Sequence, residues 1–180
     1  VLQPSCVRTV TDGMIINTST ERVNHSQKLV LELLTSDVSE EVYTQDNELT
    51  AWANKLQIQT HRFPSNIQDK CDTSHPAITV NLSACIQCTR CVRACREEQV
   101  NDVIGYAHRG IKSEIVFDIN DPMGESTCVG CGECVQACPT GALMPSKEVG
   151  LTIPDKKVES VCPYLSLIHI SEPTRRRGSS

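Results

Sequence analysis

The stretch Cys85-Ile-Gln-Cys88-Thr-Arg-Cys91-Val-Arg-Ala-Cys95 and its near copy Cys128-Val-Gly-Cys131-Gly-Glu-Cys134-Val-Gln-Ala-Cys138 decide the fold of this chain. Both follow the pattern C-x2-C-x2-C-x3-C, which is typical of the cysteines that bind a cubane [4Fe–4S] cluster. The pattern recurs after 43 residues. We therefore expect two [4Fe–4S] clusters and a protein that transfers electrons between them.

The fourth ligand of each cluster is expected to come from the other repeat. In two-cluster ferredoxins the last cysteine of each run binds the other cluster. We therefore assign Cys85, Cys88, Cys91 and Cys138 to the first cluster, and Cys128, Cys131, Cys134 and Cys95 to the second. The loops also contain Thr89, Gly130 and Gly132, where freed backbone N–H groups can point at the sulfurs and tune the potential.

Two other interpretations of the cysteines agree less well with their spacing. Thiolates also suit zinc. However, structural zinc sites usually combine two short motifs, each with two ligands, to reach four ligands. Three cysteines at i, i+3 and i+6 are one more than such a motif contains. Disulfide frameworks belong to small secreted domains, and cysteines so closely and regularly spaced cannot join distant loops. We therefore expect a reducing, cytoplasmic compartment for the eleven cysteines.

Composition narrows the class of protein further. A length of 180 residues allows one or two domains, and only 3% of the residues are aromatic. A cluster-binding domain fits this composition, because its clusters fill part of the interior and metal binding supplies folding free energy. The net charge of −5 argues against a nucleic-acid partner, and no apolar run reaches the length of a membrane span.

Each group of four cysteines is called a quartet. The residues around the two quartets predict an α+β fold with a βαββαβ ferredoxin arrangement over residues 76–150. Residues 79–82 form the first strand, and a helix starts near the fourth cysteine of each repeat. Residues 103–107 and 111–117 form a hairpin between the repeats, and a turn after Pro139 leads to a short apolar strand. The two halves are therefore related as an internal repeat.

The region before the quartets is predicted from turn and cap signals. Residues 7–18 predict a β-hairpin around Asp12-Gly13, because this dipeptide favours a two-residue turn. A helix follows from near Glu21 to about Thr35, with one face buried. Residues 36–62 are polar with weak helical character over 49–56, and residues 64–76 form an irregular connector.

Residues 1–164 resemble the iron–sulfur segment of the catalytic subunit of molybdopterin-dependent formate dehydrogenases. The wider group includes the large iron–sulfur subunit of NADH dehydrogenase and the iron-only hydrogenases. Pro4-Ser-Cys6-Val-Arg-Thr-Val-Thr-Asp-Gly-Met14 is similar to the end of their plant-type [2Fe–2S] domain, and Val158-Glu-Ser-Val-Cys162-Pro-Tyr164 resembles the entry to the molybdopterin domain. The resemblance implies that Cys6 binds a [2Fe–2S] cluster, and Cys162 a further [4Fe–4S] cluster, only in a longer protein.

The chain also departs from that family. A cluster bound by one His and three Cys is frequent after the N-terminal helix, but the corresponding positions are Val38, Val42, Gln45 and Ala51, which cannot bind iron in that role. Residues 165–180 resemble the translation of a sequencing adapter and are interpreted as a non-native tail. We expect a piece of a longer protein, truncated at both ends.

The resulting domain scheme has five parts. These are a [2Fe–2S] domain remnant with its helix (1–35), a linker equivalent to the lost His/Cys3 region (36–75), the two-[4Fe–4S] ferredoxin domain (76–150), a linker and the start of a molybdopterin domain (151–164), and a non-native tail (165–180). Because the expected ligands carry electrons and break no bonds, we assign no catalytic residue and no role for Cys71.

The resemblance implies electron transfer within a formate dehydrogenase. Formate would be oxidised to CO2 at a molybdenum or tungsten bis-pterin centre, and the electrons would pass to NAD or another acceptor. The implied partners are the downstream molybdopterin domain of the same chain and NAD-reducing or other redox subunits. The alternatives are a relay segment of an iron-only hydrogenase or NADH dehydrogenase subunit, and a stand-alone ferredoxin-like subunit.

Overall fold

The structure is a computed structural model that describes residues 1–39, 47–59, 62–68, 70–149, 156–158, 160–161, 170–171 and 174–175. The chain divides into two units, Val1–Val149 and Gly150–Ser180. The first unit contains, in chain order, α1 (Glu21–Ser36), α2 (Glu48–Lys55), β1 (Cys71–Asp72), β2 (Ile78–Asn81), α3 (Arg90–Arg93), β3 (Ile104–Ala107), β4 (Glu114–Phe117), α4 (Glu133–Ala137) and β5 (Leu143–Pro145).

The elements from β2 to β5 confirm the predicted βαββαβ arrangement. An antiparallel sheet has the order β1-β2-β5, with Val80 opposite Leu143. Strands β3 and β4 form the predicted hairpin, in which Ile104 pairs with Phe117. The sequence did not predict β1, which lies within the expected connector and pairs Cys71 with Asn81.

The helices start earlier than predicted. Helix α3 begins one residue before Cys91, and α4 one residue before Cys134, so each helix begins at the third cysteine rather than the fourth. The residues before them, Thr89 and Gly132, have φ values of 59° and 80°. This left-handed conformation turns the loop sharply, so the helix starts at the next residue and the third cysteine lies in its first turn.

The fourth cysteines lie in different local structures. Cys95 lies in a π-helical segment, Ala94–Glu98, that continues α3, whereas Cys138 follows α4 in an extended conformation. A π-helical segment inserted in a helix frequently marks a functional site. Cys95 therefore lies within its helix and Cys138 directly after its helix, yet each lines the cavity of the other repeat.

The hydrophobic core and the cysteines are one cluster of side chains. Buried residues from the sheet, the hairpin and the segment before the second loop pack together, among them Ile78, Val80, Leu82, Ile104, Ile115, Phe117, Met123 and Leu143. Burying one such side chain contributes roughly 1.5–3 kcal/mol to folding. Cys91, Cys95 and Cys134 are buried within the same cluster, so the core and the candidate ligands stabilise each other.

The two N-terminal helices lie where the sequence predicts them, but α1 does not bury the expected face: Val30 is 55% exposed, and the buried residues are Glu32 and Ser36. Helix α1 runs from Glu21, with the Val23 N–H donating to the Thr20 hydroxyl at 3.3 Å as an N-cap. Helix α2 covers most of the region of weak helical character. Where α1 faces the rest of the unit, Glu32 is buried and forms a forked ion pair with Arg62, with 2.7 Å between Nε and Oε1.

The predicted hairpin at residues 7–18 is wrong. The turn forms, with φ of +77° at Gly13, but no strand is present among residues 1–39, which are all described. The reason is the absence of a surface to pack on, since Val10 and Ile15 are 77% and 88% exposed. A two-stranded hairpin without a third strand or a helix beneath it is marginally stable.

The second unit contains β6 (Lys156–Lys157), β7 (Ser160–Val161), β8 (Ile170–Ser171) and β9 (Thr174–Arg175). Strand β6 pairs antiparallel with β9, and β7 with β8. Cys162 and Tyr164 lie outside the described residues. Across the part of the chain that the structure describes, no helix has the length and apolarity needed to cross a membrane.

Candidate iron–sulfur centres

The first predicted quartet surrounds one cavity. Cys85, Cys88 and Cys91 reach it from the first loop and from α3, and Cys138 reaches it from the end of the second repeat. The space measures about 370 Å³, including volume open to solvent. Its remaining lining is almost wholly apolar or small, so thiols are the main ligand groups that it presents.

The second predicted quartet surrounds another cavity, of about 320 Å³ with its open volume. Here Cys128, Cys131 and Cys134 come from the second repeat, and Cys95 comes from the first. The structure therefore brings all eight cysteines together in the crossed grouping that the sequence predicts. Asn101 contributes the one amide side chain among the residues around this cavity.

The cysteines of each loop differ in depth. The second cysteine of each loop, Cys88 or Cys131, is exposed, and the third, Cys91 or Cys134, is buried. Helices α3 and α4, which carry the buried pair, pack against each other. Each cavity therefore has one cysteine exposed at the protein surface and one buried in the interior.

Burial and the neighbouring sulfurs disfavour thiolates in the absence of metal. Burial, followed by the charges of nearby cysteines, raises the pKa of Cys91 and that of Cys134 to about 12. Burial also raises the pKa of Cys85 to about 11. Because a thiolate is the form that binds metal, loading these cavities must release protons.

Both loops donate a backbone N–H to the first sulfur of their quartet. The Gln87 N–H lies 3.4 Å from Cys85 Sγ, and the Gly130 N–H lies 3.4 Å from Cys128 Sγ. Gln87 and Gly130 both have left-handed backbones, with φ of 56° and 67°. The expectation that freed N–H groups at Thr89, Gly130 and Gly132 point at the sulfurs is confirmed at Gly130. The second such group belongs to Gln87, which the sequence analysis did not single out.

The β3–β4 hairpin holds the first loop in this conformation. The Gln87 amide donates to the Ser113 carbonyl at 2.9 Å and accepts from the Tyr106 hydroxyl at 3.0 Å. A left-handed backbone is costly for a residue other than glycine, and it persists only where its surroundings fix it. These side-chain bonds, which no sequence pattern indicated, therefore help to preform the first cavity.

The second loop is held by two aspartates. Asp118 accepts from the Thr127 N–H at 2.6 Å, one residue before Cys128. Asp72 on β1 accepts from the Met123 N–H at 2.7 Å. Burial alone would raise the pKa of Asp72, but hydrogen bonds from Ser74 and Met123 outweigh it and hold this pKa below its ordinary value.

Two polar side chains next to the sulfurs were missed from the sequence. Asn101 places its amide nitrogen 4.0 Å from Cys131 Sγ. Thr140, which is 1% exposed, places its hydroxyl 3.9 Å from Cys138 Sγ. Neither residue belongs to a ligand motif, and their role depends on how the connectors after each helix fold back.

The other predicted or leftover residues lie away from the cavities. Cys6 is exposed in a short 3-10 turn, and Cys71 is exposed on β1. Of the four positions aligned with the His/Cys3 cluster, Val38 and Ala51 are described and offer no ligand, while Val42 and Gln45 lie outside the described residues.

The donor set fits a cubane cluster better than a single ion. Within the described ranges, no three His, Cys, Asp or Glu side chains are grouped tightly enough to hold one metal ion. Yet each quartet surrounds a cavity, and the two observations agree if the bound group is wider than one ion. A [4Fe–4S] cube takes one thiolate at each of its four irons, and each cavity offers four cysteines, with an N–H group already directed at one sulfur.

The match to a family model agrees with the geometry. Residues 84–142, which include all eight cysteines, match the model of the 4Fe-4S dicluster domain. Among solved structures, the chain is similar to a crystal structure of an NAD+-reducing [NiFe]-hydrogenase in the H2-reduced state, with a TM-score of 0.76, 23% identity, and coverage of 83% of this chain and 66% of that one. This likeness supports the fold, a mixed helix and sheet domain of ferredoxin type.

Curated relatives of three kinds are similar in sequence. The NADP-reducing hydrogenase subunit HndD of Solidesulfovibrio fructosivorans is 32% identical over 87% of this chain. An NADH-quinone oxidoreductase subunit of Rhizobium meliloti and a Staphylococcus aureus protein named "Putative formate dehydrogenase" are each 27% identical, over 91% and 96% of this chain. The chain spans only 28%, 20% and 18% of these three relatives.

Proposed function

We propose that this chain is the electron-relay segment of a larger oxidoreductase, with one [4Fe–4S] cluster in each cysteine-lined cavity. The observation that carries this proposal is the crossed grouping of the cysteines, three from one repeat and one from the other around each space. When bound, such clusters supply one-electron transfer. No acid, base or nucleophile is required of the protein for that role.

The protein's own contribution is position and environment. Cys91 and Cys134, one at each cavity, are buried, and the helices that carry them pack against each other, which supports an internal path for the electron. Cys88 and Cys131 are exposed, which supports entry and exit of electrons at the two outer sides. The surrounding apolar core limits water near the buried cysteines Cys91 and Cys134. Burial and hydrogen bonding set the potential of such centres.

For the whole protein we propose a formate dehydrogenase, in which electrons from formate oxidation pass through this segment to NAD or another acceptor. The support is the similarity to the S. aureus protein over 96% of this chain, together with the resemblance of residues 158–164 to the entry of a molybdopterin domain. In that longer protein, Cys6 would bind a [2Fe–2S] cluster and Cys162 a further [4Fe–4S] cluster. The ligand roles, the five-part domain scheme and the cytoplasmic location remain parts of this proposal.

A hydrogenase is the second candidate. It is favoured by the 32% identity to the NADP-reducing hydrogenase subunit, which exceeds the identity to the formate dehydrogenase relative. In a hydrogenase the same relay would carry electrons from H2 instead of formate. The two candidates share this segment's function and differ in the domain that delivers electrons to it.

The relay is tested by metal analysis of the chain reconstituted without oxygen. We expect about eight irons and about eight acid-labile sulfides per chain, two cubanes' worth. Cys71→Ala is the matched control and should keep this content, because Cys71 does not line either cavity. Two zinc ions without sulfide, or a colourless sample without a reducible paramagnetic centre, would refute the relay.

The source of the electrons is tested in the complete protein. Formate and H2 are each supplied to the oxidised protein, and reduction of the clusters is followed by electron paramagnetic resonance. Reduction by formate, with molybdenum or tungsten present, supports the formate dehydrogenase. Reduction by H2 alone supports the hydrogenase and leaves the relay itself intact.

A further inference from the structure

The second cavity is lined by one amide side chain, Asn101, which lies in a connector that is longer in the first repeat than in the second. Nine residues lead from Cys95 to the first residue of β3, but only five lead from Cys138 to the first residue of β5. The longer connector contains Asn101, and it folds back over the cavity that Cys95 helps to line. The shorter connector also reaches its cavity, through Pro139, Thr140 and Ala142, but it carries no amide side chain there.

The backbone around Asn101 is unusual and firmly fixed. Val100 and Asp102, on either side of it, have φ of 57° and 52°. Positive φ is a genuine outlier for a β-branched residue such as valine. The Asn101 N–H donates to the Cys95 carbonyl at 3.0 Å, and Asp102 forms an ion pair with Arg96 at 2.6 Å. These bonds direct the Asn101 side chain inwards between two residues that bend the chain.

The result is a link between two ligands of the same cavity. The backbone of Asn101 is bound to Cys95, which comes from the first repeat, and its side-chain amide nitrogen lies 4.0 Å from Cys131 Sγ, which belongs to the second. Among the residues around this cavity, only this side chain carries an amide donor. At the first cavity the polar side chain is the buried Thr140 hydroxyl. It lies next to Cys138, the fourth cysteine of its run, whereas Asn101 lies next to Cys131, the second cysteine of its run.

We propose that Asn101 is a positioning residue that raises the reduction potential of the second cluster relative to the first. This inference rests on the proposed function. One electron leaves the first cluster, which is oxidised, and enters the second, which is reduced and becomes one charge more negative. An N–H donor at a ligand sulfur stabilises the added negative charge, so the electron favours the second cluster. The second cluster, on the side where Cys131 is exposed, is thereby a better electron acceptor than it would be without Asn101.

The test is a redox titration of the reconstituted full-length chain, followed by electron paramagnetic resonance. The second cluster is identified as the signal that persists in Cys85→Ala. Asn101→Leu keeps the volume and removes the donor, and we expect the reduced fraction of the second cluster to fall threefold to tenfold at fixed potential. This change corresponds to a potential lower by about 30–60 mV for one electron. The first cluster should keep its potential.

A second variant and a control separate tuning from general damage. Asn101→Asp places a negative charge beside Cys131 and should lower the potential of the second cluster further than Asn101→Leu. Asn66→Leu makes the same substitution at a residue that bonds to the Ile111 carbonyl outside both cavities, and it should leave both potentials unchanged.

Three results would overturn this inference. They are an unchanged second potential, an equal fall of both potentials, and loss of the second cluster in both Asn101 variants, which would make Asn101 an assembly residue. If the wild-type chain itself binds no cluster, the proposed function fails. If the wild-type chain binds two clusters and the variants behave like it, only this inference fails.

Discussion

Replacing Cys138 by alanine should remove the first cluster, although Cys138 belongs to the second repeat. Its sulfur lines the cavity of Cys85, Cys88 and Cys91, and Cys134 lines the other cavity. The variant removes one of four ligands at one cavity and none at the other. The iron content should therefore fall from about eight to about four per chain, and the sulfide content with it.

The assay compares the spectra of three single variants after anaerobic reconstitution. Cys138→Ala should lose the same paramagnetic signal as Cys85→Ala, and Cys134→Ala should lose the other signal. The reciprocal variant Cys95→Ala should then match Cys134→Ala. If Cys138→Ala matched Cys134→Ala instead, each cluster would be bound within one repeat, and the crossed assignment would be refuted.

Two further predictions concern how the second loop is held, and thermal unfolding of the reconstituted chain checks both. Gly124→Ala should destabilise the fold by roughly 1–3 kcal/mol, because the new Cβ would lie 2.5 Å from the Ser74 carbonyl oxygen. Gly105→Ala, where the nearest atom is a Val116 methyl at 3.4 Å, should cost less, and equal losses would contradict the clash. Asp72→Asn should cost roughly 1–3 kcal/mol near neutral pH. Because the folded pKa of Asp72 is lowered, the wild type should keep this stability above the ordinary value of 3.8 and lose it as the pH falls through the folded pKa, while the variant should show no such acid loss.

The sequence predicted the part of the fold that the quartets control. Three cysteines in seven residues require a tight loop, and a fourth ligand from the other repeat requires the two repeats to pack together. These demands imply the βαββαβ order, and the hairpin of β3 and β4 and the strand β5 lie where they were expected. Ligand spacing is a strong constraint because it acts through the whole domain.

The incorrect predictions came from signals that act only locally. Asp12-Gly13 forms its turn, but a turn cannot produce a hairpin when residues such as Ile15 have nothing to pack on. The helix starts were misplaced for a related reason. Glycine at 132 suggests a left-handed residue before α4, but threonine at 89 adopts the same conformation before α3, and its sequence gives no sign of it.

The cysteine loops of the two repeats therefore have the same backbone conformation, but different residues stabilise it. The second loop uses Gly130 where the first uses Gln87, and both place an N–H 3.4 Å from the first sulfur of their quartet. In the first loop the left-handed conformation depends on side-chain bonds to the hairpin, whereas in the second it is intrinsic to glycine. Gln87→Gly should thus keep the loop path and the first cluster even though it removes two hydrogen bonds, because the backbone no longer requires them. Repeats that differ in this way keep the backbone geometry that a [4Fe–4S] cluster requires. The side chains next to the sulfurs, such as Asn101, can then differ between the repeats and give the two clusters different reduction potentials.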